Sequence, residues 1–103
     1  MNDKVFTFPV RGRSYRVFFE FVDGRGPWTG PLTSLVCVLS PDGAHSRLSS
    51  NPPVQVAETG IGYVDLSPDE MMCSSIQVMP LTSQVRARCL AQTVVPLTME
   101  PEL

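Results

Sequence analysis

The residues Ser14-Tyr15-Arg16-Val17-Phe18-Phe19-Glu20-Phe21-Val22 decide the fold class. In an extended chain, successive side chains point to opposite faces, so Tyr15, Val17, Phe19 and Phe21 share one side. Arg16, Phe18, Glu20 and Val22 share the other, which holds both charges. The first face is expected in a core and the second at least partly in water. A strand with that contrast belongs to a sheet covered on one side, as antiparallel sheets commonly are.

The rest of the chain repeats the pattern in shorter pieces. Ten prolines and seven glycines break it roughly every eight to fifteen residues, the rhythm of many short strands. Residues 4–10 read as a first strand, ended by Arg11-Gly12-Arg13. Residues 23–27 read as a loop that continues through Trp28 to Leu32. Residues 34–39 are apolar on both faces, which predicts a central strand. Ser40-Pro41-Asp42-Gly43 is a turn, with Pro setting its second position and Gly accepting a positive φ. Residues 45–51 suit a short irregular strand before Pro52-Pro53. Residues 54–58 and 63–66 read as a hairpin turned by Thr59-Gly60-Ile61-Gly62.

Ser67-Pro68-Asp69-Glu70 is the one good helix start. Ser67 caps, Pro68 fits the first helical position and Glu70 completes a capping box. The β pattern resumes at Ile76-Gln77-Val78-Met79, so only about one turn is expected, joining two strands across a sandwich. Residues 84–90 and 92–97 end the fold, either as two strands or as one bent by a bulge. The expected organisation is one β-sandwich domain over residues 1–97 and an acidic tail over 98–103, without internal repeats.

Composition narrows the function classes. A chain of 103 residues is the size of one domain. Its eight basic and ten acidic residues give a net charge of −2, which argues against nucleic-acid and anionic-membrane binding. No apolar run approaches the roughly 20 residues that span a bilayer. The first residues lack a basic segment followed by an apolar core, so a soluble protein made in a cytoplasm is expected.

Cys37, Cys73 and Cys89 are odd in number and without Cys-x-x-Cys spacing, so no disulfide framework is expected. Cys37 and Cys89 read as small core residues, and Cys73 as partly exposed. His45, the single histidine, lies in a turn beside Ser46 without a Gly-x-Ser-x-Gly elbow, and reads as an exposed loop residue. Asp65, Asp69 and Glu70 lack the alternating ligands of a calcium loop, and capping accounts for two of them. Glu20 shares a face with Arg16, which predicts a surface ion pair rather than a paired-carboxylate site with Asp65. The expectation is therefore a non-enzymatic protein with no cofactor, no metal and no catalytic residue.

What remains are interface candidates. Seven of the eight basic residues are arginine, a residue enriched at protein interfaces because its planar fork pairs carboxylates. Arg11 and Arg13 flank one turn, with Arg16 nearby; Arg86 and Arg88 share one face of a late strand. The competing role is solvated edge-strand charge that discourages aggregation. Trp28, between Pro27 and Pro31, either protrudes as an interface anchor or folds back over the open end of the core. Residues 1–52 carry six basic and four acidic groups, and residues 53–103 two and six. That polarity can orient a chain in an assembly, or can be ordinary surface variation.

Two runs carry a family resemblance. Tyr15-Arg16-Val17-Phe18-Phe19-Glu20-Phe21-Val22-Asp23, followed by Gly26-Pro27-Trp28-Thr29-Gly30-Pro31-Leu32-Thr33-Ser34-Leu35, resembles a strand and loop of small immunoglobulin-like virion domains of tailed phages. Val56-Ala57-Glu58-Thr59-Gly60-Ile61-Gly62-Tyr63-Val64-Asp65-Leu66-Ser67-Pro68-Asp69-Glu70-Met71 resembles their Gly-Tyr strand and capped turn. The resemblance covers about residues 13–97. Two features depart from it: Arg86 and Arg88 stand in a final strand that is usually alternating Thr and Val, and a tail follows Leu97. Carboxypeptidase-regulatory-like and other immunoglobulin-like modules share the architecture without sharing function.

The resemblance implies an all-β, immunoglobulin-like β-sandwich of about seven to eight short strands with one short helical turn near residues 68–73. It implies a structural subunit of tail, neck, baseplate or capsid surface, assembled in a bacterial host cytoplasm. Its partners would be other virion proteins and copies of itself in a symmetric homo- or hetero-oligomer, with neither nucleic acid nor membrane. Partner-binding candidates are Arg11, Arg13, Trp28, Arg86 and Arg88. The competing class is a free-standing ligand- or carbohydrate-binding module, with Trp28 and Tyr63 as stacking surfaces.

Overall fold

The first strand, β1 (Tyr15–Glu20), realises the alternation that the sequence announces. Val17 and Phe19 are buried, followed by Phe21, whereas Phe18 and Glu20 are exposed. The computed structural model describes residues 8–56, 59–84 and 87–98. Eight further strands follow in it: β2 (Val22–Asp23), β3 (Gly26–Pro27), β4 (Val36–Pro41), β5 (Arg47–Leu48), β6 (Val54–Gln55), β7 (Ile61–Leu66), β8 (Ile76–Leu81) and β9 (Gln92–Val94).

Among the described residues all strand pairings are antiparallel and form three sheets, ordered β1-β7-β6, β2-β3 and β5-β4-β8-β9. The two larger sheets pack into a sandwich-like body. Val17, Phe19, Val64 and Leu66 from one meet Cys37, Leu39, Ile76, Val78 and Val94 from the other. Burial of each large aliphatic or aromatic side chain contributes about 1.5–3 kcal/mol. β4 lies between β5 and β8, as its two-sided apolar pattern predicts. β7 and β8 belong to different sheets, so residues 67–75 make the expected crossover.

Several expectations need correction. Residues 23–27 are not an open loop: Val22↔Pro27 and Asp23↔Gly26 pair in a small hairpin. That hairpin brings the count to nine strands among the described residues. The turn after β4 sits one residue later than Pro41 suggests. The Ala44 N–H donates to the Pro41 carbonyl at 2.7 Å, so Asp42 and Gly43 are the central residues, at φ 50° and 73°. Two positive φ values are the turn that matches strand twist, and Asp-Gly is its usual sequence. Pro41 remains the last strand residue.

In the second hairpin, Ile61 and Gly62 already belong to β7, so the reversal lies earlier; residues 57–58 are outside the described set. Gly62 has to be glycine, since a Cβ there would lie 2.6 Å from the Phe19 ring and 2.9 Å from the Val54 carbonyl. The capping box forms: Ser67 N–H donates to Glu70 Oε1 at 2.7 Å and Glu70 N–H to Ser67 Oγ at 3.2 Å. It closes a hydrogen-bonded turn over residues 68–71, and there is no helix among the described residues. Cys73, expected partly exposed, is buried at 2%, because this turn folds back onto the core.

At the chain ends, Val10 and Leu97 make a parallel bridge; the remainder of the expected first strand, residues 4–7, lies outside the described residues, as do residues 99–103 of the tail. Of the expected late strands, residues 92–94 form β9. Arg88 makes a single antiparallel bridge to Val22. Residues 85–86 of the other expected strand lie outside the described residues, and between Arg88 and Gln92 the chain passes from the Val22 bridge to the edge of the four-stranded sheet.

Candidate functional site

Cross-strand register determines which outward side chains become neighbours. On the outer face of the three-stranded sheet, Phe18 stands opposite Tyr63, Arg16 opposite Asp65, Glu20 opposite Ile61, and Val54 opposite Tyr63. Phe18, Ile61 and Val54 are all exposed. The Phe18 and Tyr63 rings meet edge to face at 5.9 Å, a favourable aromatic arrangement.

Arg16 grips both Asp65 oxygens, with Nε to Oδ1 at 2.7 Å and an Nη to Oδ2 at 3.0 Å. Its guanidinium lies 4.0 Å above the Tyr63 ring. Hydrogen bonding to Asp65 raises the Arg16 pKa above its ordinary value, against a smaller opposing effect of burial. The Arg16–Asp65 pair neutralises itself, leaving this face mainly apolar. Glu20, expected to pair with Arg16, does not: Arg16 takes its cross-strand partner instead of the residue two pleat repeats further along its own strand.

The opposite outer face, on the four-stranded sheet, is apolar as well. Val38 stands between Leu48 and Met79, and Val36 opposite Leu81; Leu48 and Leu81 are exposed. A sandwich with apolar side chains on both outer faces has two surfaces able to exclude water against neighbours.

A groove of about 820 Å³ opens where β1, the edge of one sheet, approaches residues 88–92 leading into β9. Phe18, Val22, Ile61 and Leu90 give it an apolar lining, with Glu20 and Arg88 as its charged members. Gln92 projects across it and donates Nε2 to the Phe18 carbonyl at 2.6 Å.

The sequence candidates do not gather into one site. Arg11 and Arg13 are exposed in the turn before β1, where the Arg11 N–H donates to the Leu97 carbonyl and the Arg13 N–H to the Val10 carbonyl. Arg88 is exposed beyond the other end of β1, a strand length of about 20 Å away. Trp28 folds back: it is half-buried against the core, and Nε1 donates to the Pro31 carbonyl at 3.4 Å. Arg86 lies outside the described residues. The apolar faces escaped sequence reading because Val54, Ile61 and Tyr63 join Phe18 only through register. The one available signal was Phe18 itself, an aromatic residue on the face expected to be wet.

Other reactive groups are committed elsewhere. Glu70 is buried, and its second oxygen accepts the Ser50 N–H at 2.7 Å. His45 is exposed. Burial pushes the Cys37 thiol up to about 12 and Cys89 to about 11, and also raises Cys73. Such thiols are poor nucleophiles at neutral pH. No three His, Cys, Asp or Glu side chains come together as a metal site among the described residues, and no helix there is long and apolar enough to cross a membrane.

No known family model, characterised protein or solved structure matches the chain.

Proposed function

We propose that this chain is a non-enzymatic structural subunit that works by docking its apolar sheet faces against neighbouring proteins. The observation that carries the reading is the outer face built by Phe18, Tyr63, Val54 and Ile61. Water-exposed apolar side chains in a contiguous cluster gain free energy when a partner covers them. The second apolar face, around Leu48 and Leu81, lies on the other side of the sandwich, so one chain can hold two neighbours.

The sequence resemblance directs this reading to the virion of a tailed phage or prophage: tail, neck, baseplate or capsid surface, with assembly in the host cytoplasm. Its partners would be other virion proteins and further copies of the chain, in a symmetric assembly. An immunoglobulin-like topology is part of the same proposal. Supporting it, the order β1-β7-β6 against β5-β4-β8-β9 has the form B-E-D against C′-C-F-G of that fold.

A carbohydrate-binding module has less support, because both of its stacking candidates are occupied. Trp28 packs on the core, and Arg16 covers the Tyr63 ring. The test is Phe18→Ser combined with Ile61→Ser. Retained folding with loss of the chain from particles is expected; unchanged incorporation overturns the role of this face.

A further inference from the structure

Leu90 is 85% exposed, the most exposed large apolar side chain among the described residues. It lines the groove beside β1 together with Phe18, Val22 and Ile61. A patch that carries both an apolar knob and an apolar hollow can complement itself, as a twofold contact requires, since there the same patch serves both partners.

The charges of the groove agree with that symmetry. It has one acid, Glu20, and one base, Arg88. Neither side chain has an ion pair among the described residues, where the single salt bridge is Arg16–Asp65. Packing against an unrelated apolar surface would bury Glu20 and Arg88 without compensation, which is costly. A second copy related by a twofold axis carries the same acid and the same base on the facing patch, so an opposite charge is available to each across the axis.

We infer that the groove between β1 and residues 88–92 is the site of an isologous dimer, in which each copy seats Leu90 in the partner's groove and pairs Glu20 with the partner's Arg88. The backbone in this region is already fixed on both sides. Arg88 exchanges two main-chain hydrogen bonds with Val22 at 2.8 and 3.0 Å, and Gln92 is tied to the Phe18 carbonyl. The groove is thus held open in the free chain, and little ordering remains to be done on association. The inference rests on the docking role proposed above and names one of the partners.

The test is analytical ultracentrifugation of the full chain and three sets of variants. The wild type should show a concentration-dependent dimer. Leu90→Glu should be monomeric, with the thermal midpoint that the wild type shows at concentrations too low for it to dimerise, because Leu90 is 85% exposed within the chain. Glu20→Arg and Arg88→Glu should each weaken dimerisation at least about tenfold, since a twofold axis counts every lost pair and every like-charge contact twice. The double exchange Glu20→Arg with Arg88→Glu should restore it to within about threefold.

A wild type that stays monomeric at millimolar concentration, or a Leu90→Glu chain that dimerises as the wild type does, overturns the inference. So does a double exchange no better than the single ones. A chain monomeric in solution yet present in many copies on a particle refutes the dimer while leaving the docking role in place. A dimer found on no particle does the reverse.

Discussion

Gln92 and Phe18 are 74 residues apart in sequence, yet Gln92 Nε2 lies 2.6 Å from the Phe18 carbonyl oxygen. Phe18 is on β1, the edge of the three-stranded sheet, and Gln92 begins β9, the edge of the four-stranded one. The bond links the two layers across their open side and satisfies an edge acceptor that no strand pairs.

Gln92→Ala should therefore loosen that side of the sandwich. A hydrogen bond of this kind contributes about 0.5–1.5 kcal/mol, and urea denaturation should show a loss of that size. Because the bond spans the groove, the variant should also change the groove contact more than a substitution at Thr93, which faces outward. Equal effects from the two positions would contradict the tie.

The Glu70 carboxylate holds two segments together, accepting the Ser67 N–H at the start of the crossover turn and the Ser50 N–H of the loop after β5, while the Glu70 N–H donates to Ser67 Oγ. Glu70→Ala leaves the partly buried Ser67 N–H and the Ser50 N–H without this acceptor and should cost about 1–3 kcal/mol. Glu70→Gln retains one acceptor oxygen and should cost less. Equal losses for the two variants would argue that packing of the side-chain stem, rather than hydrogen bonding, holds the turn.

Gly62→Ala places a methyl group 2.6 Å from the Phe19 ring and 2.9 Å from the Val54 carbonyl. The ring can move, but the main-chain oxygen is fixed by the β6–β7 ladder. Overpacking of this kind costs about 1–3 kcal/mol. Gly24→Ala is the control, since nothing lies within 4 Å of its Cβ position; it should leave thermal stability within about 0.5 kcal/mol.

Alkaline pH should destabilise the fold through its thiols. Cys37 and Cys89 titrate near 12 and 11 when folded, raised mainly by burial, and near 8.5 when unfolded. The unfolded chain therefore releases these protons first, and stability falls as pH rises. The contribution is complete below about pH 8.5 and is lost progressively up to the folded values, at no more than about 1.4 kcal/mol per pH unit per thiol. Denaturation series between pH 7 and 11 should show that decline, and Cys37→Ala should flatten it. At pH 8, a thiol reagent should react with Cys37 only after denaturation.

Local chemistry made much of this fold legible. The alternation of residues 14–22 specifies its own faces, and the Ser67–Glu70 box needs no distant partner to be recognised. Cys37 within an all-apolar stretch identifies a central strand. Failures came where a distant residue decides. Arg16 pairs with Asp65, 49 positions away, and no pattern within β1 names that partner. Pro41 drew the turn one residue early because Pro is a turn former, while strand pairing to Ile76 keeps it in β4. Cys73 is buried by the fold-back of a turn whose end the sequence does not mark. The docking faces are the clearest example: four residues from three strands become one surface only after register sets them side by side.

Docking through exposed apolar sheet faces would be visible in cryo-electron microscopy of particles from the source of the sequence, combined with light scattering of the purified chain. Multiple copies in symmetric positions are expected, with Phe18, Ile61 and Tyr63 covered by a neighbouring protein. A strict monomer found on no particle, with that face bare under all conditions, would contradict the docking role.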